Sequence, residues 1–175
     1  MIFVATGLHE HGFDRLVRAA DHLVRDNQIA DVFIQTGYSE YKPSYAAWKQ
    51  AIDFTEFQDH LQRADIVVTH GGAGCIADAI ELKKRIVVVP RLKRFNEHSN
   101  DHQLELAKAL EESGRVLVAY DIEDLLPLIH KASEFRPTPS SGKSEVSALI
   151  GTFLKEVASS SGLTLGETGK GSRPQ

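Results

Sequence analysis

The chain has 175 residues, a formal net charge of -4 and a single cysteine, Cys75. That length holds one domain with a real core and scarcely two. The negative balance, with no lysine/arginine block, argues against a nucleic-acid footprint, and a lone cysteine excludes an intrachain disulfide, which fits a reducing cytoplasm.

Residues 1–6 (MIFVAT) read as a strand closed by Gly7. No basic leader precedes it, so no signal peptide is expected. Phe13, Leu16, Val17, Ala20, Leu23 and Val24 recur at helical spacing, which predicts an amphipathic helix over 13–26. Residues 31–36 (DVFIQT) form a second strand, closed by Gly37. The stretch 38–45, with Pro43, is a loop, and 47–53 is ambiguous, with a short strand as one reading. Thr55-x-x-Gln58 has the capping-box pattern, so a short helix is expected to run to Ala64. Strand 66–69 and helix 73–83 follow.

Residues 86–89 (IVVV) are a buried strand stopped by Pro90. A charged stretch, 91–99, leads into a helix from about Asn100 to Ser113, with Leu104, Ala107 and Leu110 on one face and Gly114 as C-cap. Residues 116–119 are a short strand, and Asp121 caps a helix through Ile122, Leu125, Leu126 and Ile129. After a Pro/Ser break at 137–142, a last helix carries Val146, Leu149, Ile150, Phe153, Leu154 and Val157 as a stripe. That stripe packs on the domain's own sheet or forms a partner interface. Residues 159–175 are rich in Gly, Ser and Thr and read as a disordered tail, leaving 1–158 as the domain. No apolar stretch approaches the roughly 20 residues that span a bilayer.

Alternating apolar strands and amphipathic helices specify an α/β domain with a mostly parallel sheet flanked by helices. Ligands of such sheets bind beyond the C-terminal strand ends. Those ends are Thr6-Gly7, Thr36-Gly37, Thr69–Gly74 and Pro90–Arg94, so the glycine turn and the basic residues Arg91, Lys93 and Arg94 share one rim.

The segment 64–80 (ADIVVTHGGAGCIADAI) carries most of the chemistry. A β-branched strand ends at Thr69-His70, and Gly71, Gly72 and Gly74 lead into a helix. Helix N-termini leave N–H groups unpaired and favour negative charge, and missing side chains let a phosphate reach the backbone. Asp78 lies one turn beyond Gly74, within reach of a ribose. A nucleotide diphosphate is therefore expected at 71–78. A turn that merely closes a βα unit explains the same glycines, and spacing alone leaves both readings open. Neither GxGxxG nor GxxxxGK[ST] is present.

Other candidates have plainer explanations beside them. His9 is a candidate acid/base, since imidazole titrates near neutrality, although most single histidines are not catalytic. Cys75 sits where thiolates are favoured, but a small residue packed by a diphosphate explains it as well. Phe54 and Phe57 read as core, with a flank for a nucleobase as the alternative. His98 and His102 are four apart, which on a helix would put both on one face beside Glu97 and Asp101. Without HExxH or further histidine or cysteine clusters, no metal is expected there.

Taken in order, ADIVVTHGGAGCIADAI, IVVVPR and RFNEHSNDHQLELAKAL resemble the C-terminal, donor-binding half of glycosyltransferase family 28. The likeness is greatest to its single-domain members. These include the PssE-like and EpsF-like subunits of exopolysaccharide synthesis and the catalytic subunit of the dolichol-pathway UDP-GlcNAc transferase. GLHEHGFDRLVRAAD and FIQTGYSEY also look like the PssE pattern, and the resemblance covers roughly residues 1–130.

The resemblance implies one Rossmann-like half of a GT-B glycosyltransferase. It implies inverting transfer of a hexose-type sugar from a UDP-sugar to a polyprenyl-diphosphate-linked acceptor, with no metal or other cofactor. It further implies a separate membrane-anchored subunit that holds the acceptor and recruits this chain from the cytoplasm to the membrane face. By position, His70, Gly71, Gly72, Gly74 and Cys75 would hold the diphosphate, aided by Arg91 or Arg94, and Asp78 would bind the ribose. The backbone at Phe54 would read uracil. Asp101, His102 and Gln103 would contact the sugar or phosphates, with Gly7 and His9 facing the same cleft. Cys75 and Asp78 stand where the family commonly has Ser/Thr and Glu. The general base is left open between His9, the partner chain and neither. A non-catalytic UDP-sugar-binding module is the alternative function.

Overall fold

The computed structural model describes residues 1–139, 148 and 150–152. Six strands form one sheet: β1 (Ile2–Ala5), β2 (Val32–Gln35), β3 (Ala47–Lys49), β4 (Ile66–Thr69), β5 (Arg85–Val88) and β6 (Leu117–Val118). Their spatial order is β3-β2-β1-β4-β5-β6, and every neighbouring pair is parallel. The chain therefore reverses its winding between β1 and β4, which opens a crevice at their C-terminal ends. The register sets Val4 between Ile34 and Val68.

Side chains alternate across the strands, so each face acquires its own core. Ile2 and Val4 join Ile34, Val68 and Val87 on one face, against α1 (Asp14–Arg25) and α5 (Leu125–Glu134). Phe3 and Ala5 join Val67, Ile86 and Val88 on the other, against α2 (Phe54–Arg63), α3 (Ala73–Glu81) and α4 (His102–Glu112). Strands buried on both faces explain the unbroken apolar runs at 2–5, 66–68 and 86–89. Phe3 is fully buried, and truncating such a side chain to alanine costs about 3–5 kcal/mol.

Two local expectations change, and one open reading is settled. The cap of α2 is Asp53, whose carboxylate accepts from the backbone N–H of Glu56 at 2.8 Å, and not the Thr55 capping box. A carboxylate in that role satisfies a free N–H and complements the helix dipole. Starting α2 two residues earlier makes Phe54 its first residue and leaves that ring exposed, while Phe57 packs on the core. The helix expected from Ile122 opens as a 3-10 turn, Ile122–Asp124, and becomes α-helical at Leu125. The ambiguous 47–53 stretch resolves into β3 and the lead to α2.

Gly114 follows α4 with φ +69, the left-handed conformation that its sequence position predicts. Residues 148 and 150–152 are helical, and Ile150 is buried in the core beside α3 and α4. Val146, Leu149, Phe153, Leu154, Val157 and the tail 159–175 lie outside the described residues. No described helix is long and apolar enough to cross a membrane.

Candidate functional site

The glycine turn lies at the β1/β4 crevice, and the structure gives its glycines different tasks. A Cβ on Gly71 would fall 2.6 Å from Cβ of Gln103. One on Gly72 would collide with Nε2 of His70, and one on Gly7 would lie 2.7 Å from the same imidazole. Gly7 also has φ +75, where any side chain is strained. These three glycines make room for the protein's own side chains. Gly74 is different: a Cβ there meets nothing within 4 Å.

Gly72 is the N-cap of α3 and supplies no side-chain cap. Helical geometry leaves the N–H groups of Ala73, Gly74 and Cys75 without intrahelical acceptors. Exposed Gly74 thus presents bare backbone at the positive end of a helix.

His70 is the imidazole around which the turn folds. Its Nδ1 lies 3.4 Å from the carbonyl of Ala5 and from the hydroxyl of Thr69. Burial, aided by the nearby Arg91 charge, lowers its pKa to about 4 against the pull of the Ala5 carbonyl. The ring is neutral at pH 7. Cys75 is the opposite of a reactive thiol. Burial pushes its pKa up to about 11, partly offset by the Thr69 hydroxyl 3.1 Å from Sγ. The helix dipole loses to desolvation at this position.

Arg91 lies inside the domain and not on the exposed rim. It is fully buried, and its terminal nitrogens donate to the carbonyls of Thr6, His11, Gly12 and Glu97 at 2.8, 2.8, 2.9 and 3.1 Å. It clamps the loop after β1 to the loop after β5. Burial lowers its pKa to about 10, so it stays charged at neutral pH. The carboxylate of Glu97 is spent elsewhere, on Arg15 at 2.9 and 3.0 Å and on the backbone N–H of Leu92 at 3.0 Å. Arg15 and Arg91 together face one buried carboxylate.

Gln103, in the first turn of α4, joins the same assembly. Its Oε1 accepts from the backbone N–H groups of Gly71 and Arg91 at 3.1 and 3.2 Å. With the oxygen so committed, the amide orientation is fixed and the NH2 group is the donor end of the side chain. Asp101 does not cap its helix; its carboxylate accepts from the N–H of Lys93 at 2.9 Å. His102 places Nδ1 3.3 Å from Glu105.

The structure separates His98 from His102. His98 precedes α4 and stacks on His9, with ring centroids 4.7 Å apart, and His9 stacks in turn on His11 at 5.2 Å. The shared helical face that a helix through His98 and His102 would give does not form, because the helix begins only at His102. Among the described residues no group of three or more His, Cys, Asp or Glu side chains could hold a metal ion.

A depression of about 250 Å³ opens beside the turn, lined among others by Gly7, Ile52, Phe54, Phe57, His70 and Cys75. Phe54 is an exposed wall of it, at 74 %. Asp78 lies one turn along α3, its carboxylate 3.5 Å from the amide nitrogen of Gln58. Arg94 points away: it is exposed, 3.5 Å from Asp121, and shares a separate depression with Asp101 and Tyr120.

The family model of the glycosyltransferase family 28 C-terminal domain matches residues 1–158. The chain belongs to that family. It is 32% identical over 125 residues to the human (Homo sapiens) UDP-N-acetylglucosamine transferase subunit ALG13, a match covering 66% of this chain and 10% of that protein. The Yarrowia lipolytica subunit of the same name is 28% identical over 120 residues, 59% of each chain. This chain therefore spans less than two thirds of these relatives.

Among solved structures, the NMR solution structure of ALG13 superposes with a TM-score of 0.61 at 17% identity, covering 87% of this chain and 96% of that one. The glycosyltransferase of kitacinnamycin (0.56, 16% identity) and Acinetobacter baumannii MurG (0.51, 16%) match 89% and 87% of this chain but only 39% and 49% of their own. At these identities the likeness is one of fold: the chain has the fold of one part of such enzymes.

Within this family 28 domain, tertiary structure brings Gly7, His9, His70, Gly71, Gly72, Arg91 and Gln103 into one constellation, with Phe54, Gly74, Cys75 and Asp78 along its edge. It leaves Arg94 and Asp101 on the β5–β6 side, while His102 lies within electrostatic reach of His98. Sequence reasoning missed Gln35, whose Oε1 accepts from the N–H of Gly7 at 3.1 Å, and the Arg15–Glu97 pair. A polar residue closing a buried strand marked Gln35. Nothing local marked a pair 82 positions apart.

Proposed function

We propose that this chain is the donor-binding, catalytic subunit of a two-component inverting glycosyltransferase. It takes a UDP-sugar as donor and transfers the sugar to a polyprenyl-diphosphate-linked acceptor. That acceptor is held by a membrane-anchored partner that brings the chain to the cytoplasmic membrane face. The observation that carries the reading is the uncapped N-terminus of α3 at the β1/β4 crevice, open at Gly74.

The departing UDP gathers negative charge as the sugar leaves. The N–H groups of Ala73, Gly74 and Cys75 are pre-aimed donors for that charge and need no reorganisation during the step. Asp78 takes the ribose hydroxyls, and the depression at Phe54 takes the base. The amide NH2 of Gln103 reaches the sugar or its phosphate. Arg91 contributes by position: its charge stands beneath the crevice, and its four carbonyl bonds hold the loops that shape it. The relatives named UDP-N-acetylglucosamine transferase subunit support N-acetylglucosamine as the first donor to try.

Calorimetry against UDP, ADP and GDP tests the nucleotide. UDP should bind best, and equal affinity for all three would remove the uridine assignment. Co-expression with the partner, followed by a UDP-sugar panel on membranes, tests transfer. The isolated chain should transfer nothing to a lipid acceptor; robust transfer by it alone would overturn the two-component reading. UDP-sugar binding without transfer in the assembled pair would make the chain a non-catalytic sensor.

A further inference from the structure

We propose that His9 and His98 are paired neutral N–H donors that bind a phosphate oxygen of the nucleotide, and that His9 is a ligand and not a base. The proposal rests on the donor reading above. Its ground is the hydrogen bonding of the two rings. Nδ1 of His9 accepts from the backbone N–H of His11 at 3.3 Å. Nδ1 of His98 accepts in the same way from the backbone N–H of Asn100, also at 3.3 Å. A neutral imidazole has one acceptor and one donor nitrogen. With Nδ1 accepting in both rings, both must carry their proton on Nε2.

The two rings stack at 4.7 Å and 26° from parallel, so they form one wall with two N–H groups. A base would need an unprotonated Nε2, which this tautomer does not offer. Protonation to imidazolium would break each Nδ1 bond, since Nδ1 would then have to donate.

The surroundings favour an anion. His9 and His98 interact electrostatically with His70, on which the glycine turn closes, and with Arg91. The guanidinium of Arg91 is fully buried, and among the described residues it bonds to carbonyls only and its Nε has no hydrogen-bond partner. Glu97, the one buried carboxylate nearby among the described residues, is bound to Arg15. Among the described residues Arg91 thus shares that carboxylate's charge with Arg15, and a cation with less than a full counter-charge is held beside the imidazole wall. The other charged or titratable neighbours are His11, with Glu10 3.9 Å away on the same loop, and His102, which faces Glu105. Burial lowers the pKa of His9, and the neighbouring His98, Arg91 and His11 add to that; burial likewise lowers His98, aided by Arg91. Both rings are therefore neutral donors at pH 7. An incoming diphosphate would meet two N–H groups on one side and the α3 N-terminus on the other.

The test pairs isosteres. His9→Phe and His98→Phe keep a flat ring and lose the donor; His9→Gln and His98→Gln keep an N–H donor and cannot act as a base. Each is titrated calorimetrically with UDP and with UDP-N-acetylglucosamine at pH 7.5, with His130→Gln on α5 as control. Each Phe variant should lose about tenfold in affinity, the loss expected for a hydrogen bond to a charged group. The Gln variants should stay within about threefold of the parent. In the assembled pair, turnover of His9→Gln should fall no further than its UDP affinity does. Phe variants that bind like the parent, or Gln variants as impaired as Phe, overturn the proposal. So does a His9→Gln enzyme with parental UDP affinity and no turnover, which would make His9 the base. Because both rings are partly exposed, the fold tolerates these changes, and the melting temperature verifies it. If the parent chain binds neither nucleotide, the donor reading fails first. If the parent binds and the variants do not discriminate, only this proposal fails.

Discussion

Gly72 packs against Nε2 of His70 so closely that no side chain fits between them. Two residues later Gly74 faces open space. Two glycines of one motif therefore serve different purposes, one for folding and one for access.

Alanine scanning of the turn separates the two. Gly72→Ala should destabilise the domain by about 1–3 kcal/mol, because His70 must move out of a packed position. Gly74→Ala should leave the melting temperature unchanged or raised, since alanine is the better helix former by up to about 1 kcal/mol. It should nonetheless weaken UDP binding several-fold. Thermal unfolding and calorimetry on the same two proteins check this. Parental UDP affinity in Gly74→Ala would show that no phosphate passes there.

Asp78→Ala should weaken UDP binding by about 1–3 kcal/mol, through loss of charge-assisted hydrogen bonds to the ribose. The contact it gives up within the protein, 3.5 Å from Gln58, is long, so the fold should persist. Calorimetry showing unchanged affinity would remove Asp78 from the nucleotide site.

Asp21 shapes the loop before β3. Its buried carboxylate accepts from the hydroxyl of Tyr41 at 2.7 Å and from the N–H groups of Ser44, Tyr45 and Ala46 at 2.8–3.0 Å. Burial alone would raise its pKa, but these four donors outweigh it and hold the group below 3.8. A depressed carboxyl pKa stabilises the fold above the unfolded value, and that stability is lost as pH falls through the folded value. Asp21→Asn should cost about 1–3 kcal/mol at pH 7. In urea denaturation the gap between the two proteins should shrink as the pH is taken below about 4. A gap that stays constant to pH 2 would mean the charge is not what the loop requires.

Cys75 should resist alkylation. A thiol near 11 in place of 9.0 carries about a hundredfold less thiolate at pH 7.5. Iodoacetamide should therefore modify the folded chain at least that much more slowly than the urea-unfolded chain. Comparable rates would show that the thiol is neither buried nor held protonated.

The fold was legible because it rests on local periodicity. Apolar runs at 2–5, 66–68 and 86–89 read as strands buried on both faces, and the stripes of α1 and α4 read as amphipathic helices. The turn at 70–75 was legible for the same reason, as a strand passing through glycines into a helix within a dozen residues. What it could not disclose was which glycine serves the protein and which stays open, since Gln103 and His70 decide that in three dimensions.

Charge was the least legible property. Arg91 and Arg94 looked alike as members of one basic cluster, yet one is sealed under four carbonyls and the other lies on the surface. The difference comes from Thr6, His11 and Gly12, about 80 residues away. Likewise the spacing of His98 and His102 would make a pair on one helical face, but the helix starts only at His102, four residues beyond His98, and His98 turns to His9 across the crevice. The sequence by itself determined the α/β class, the parallel strands and the glycine turn at a helix start, because those follow from backbone hydrogen bonding and apolar burial between near neighbours. Only the tertiary structure decided which histidines stack, which arginine is buried and where the open backbone lies, because those depend on desolvation and on partners that folding brings together from distant positions.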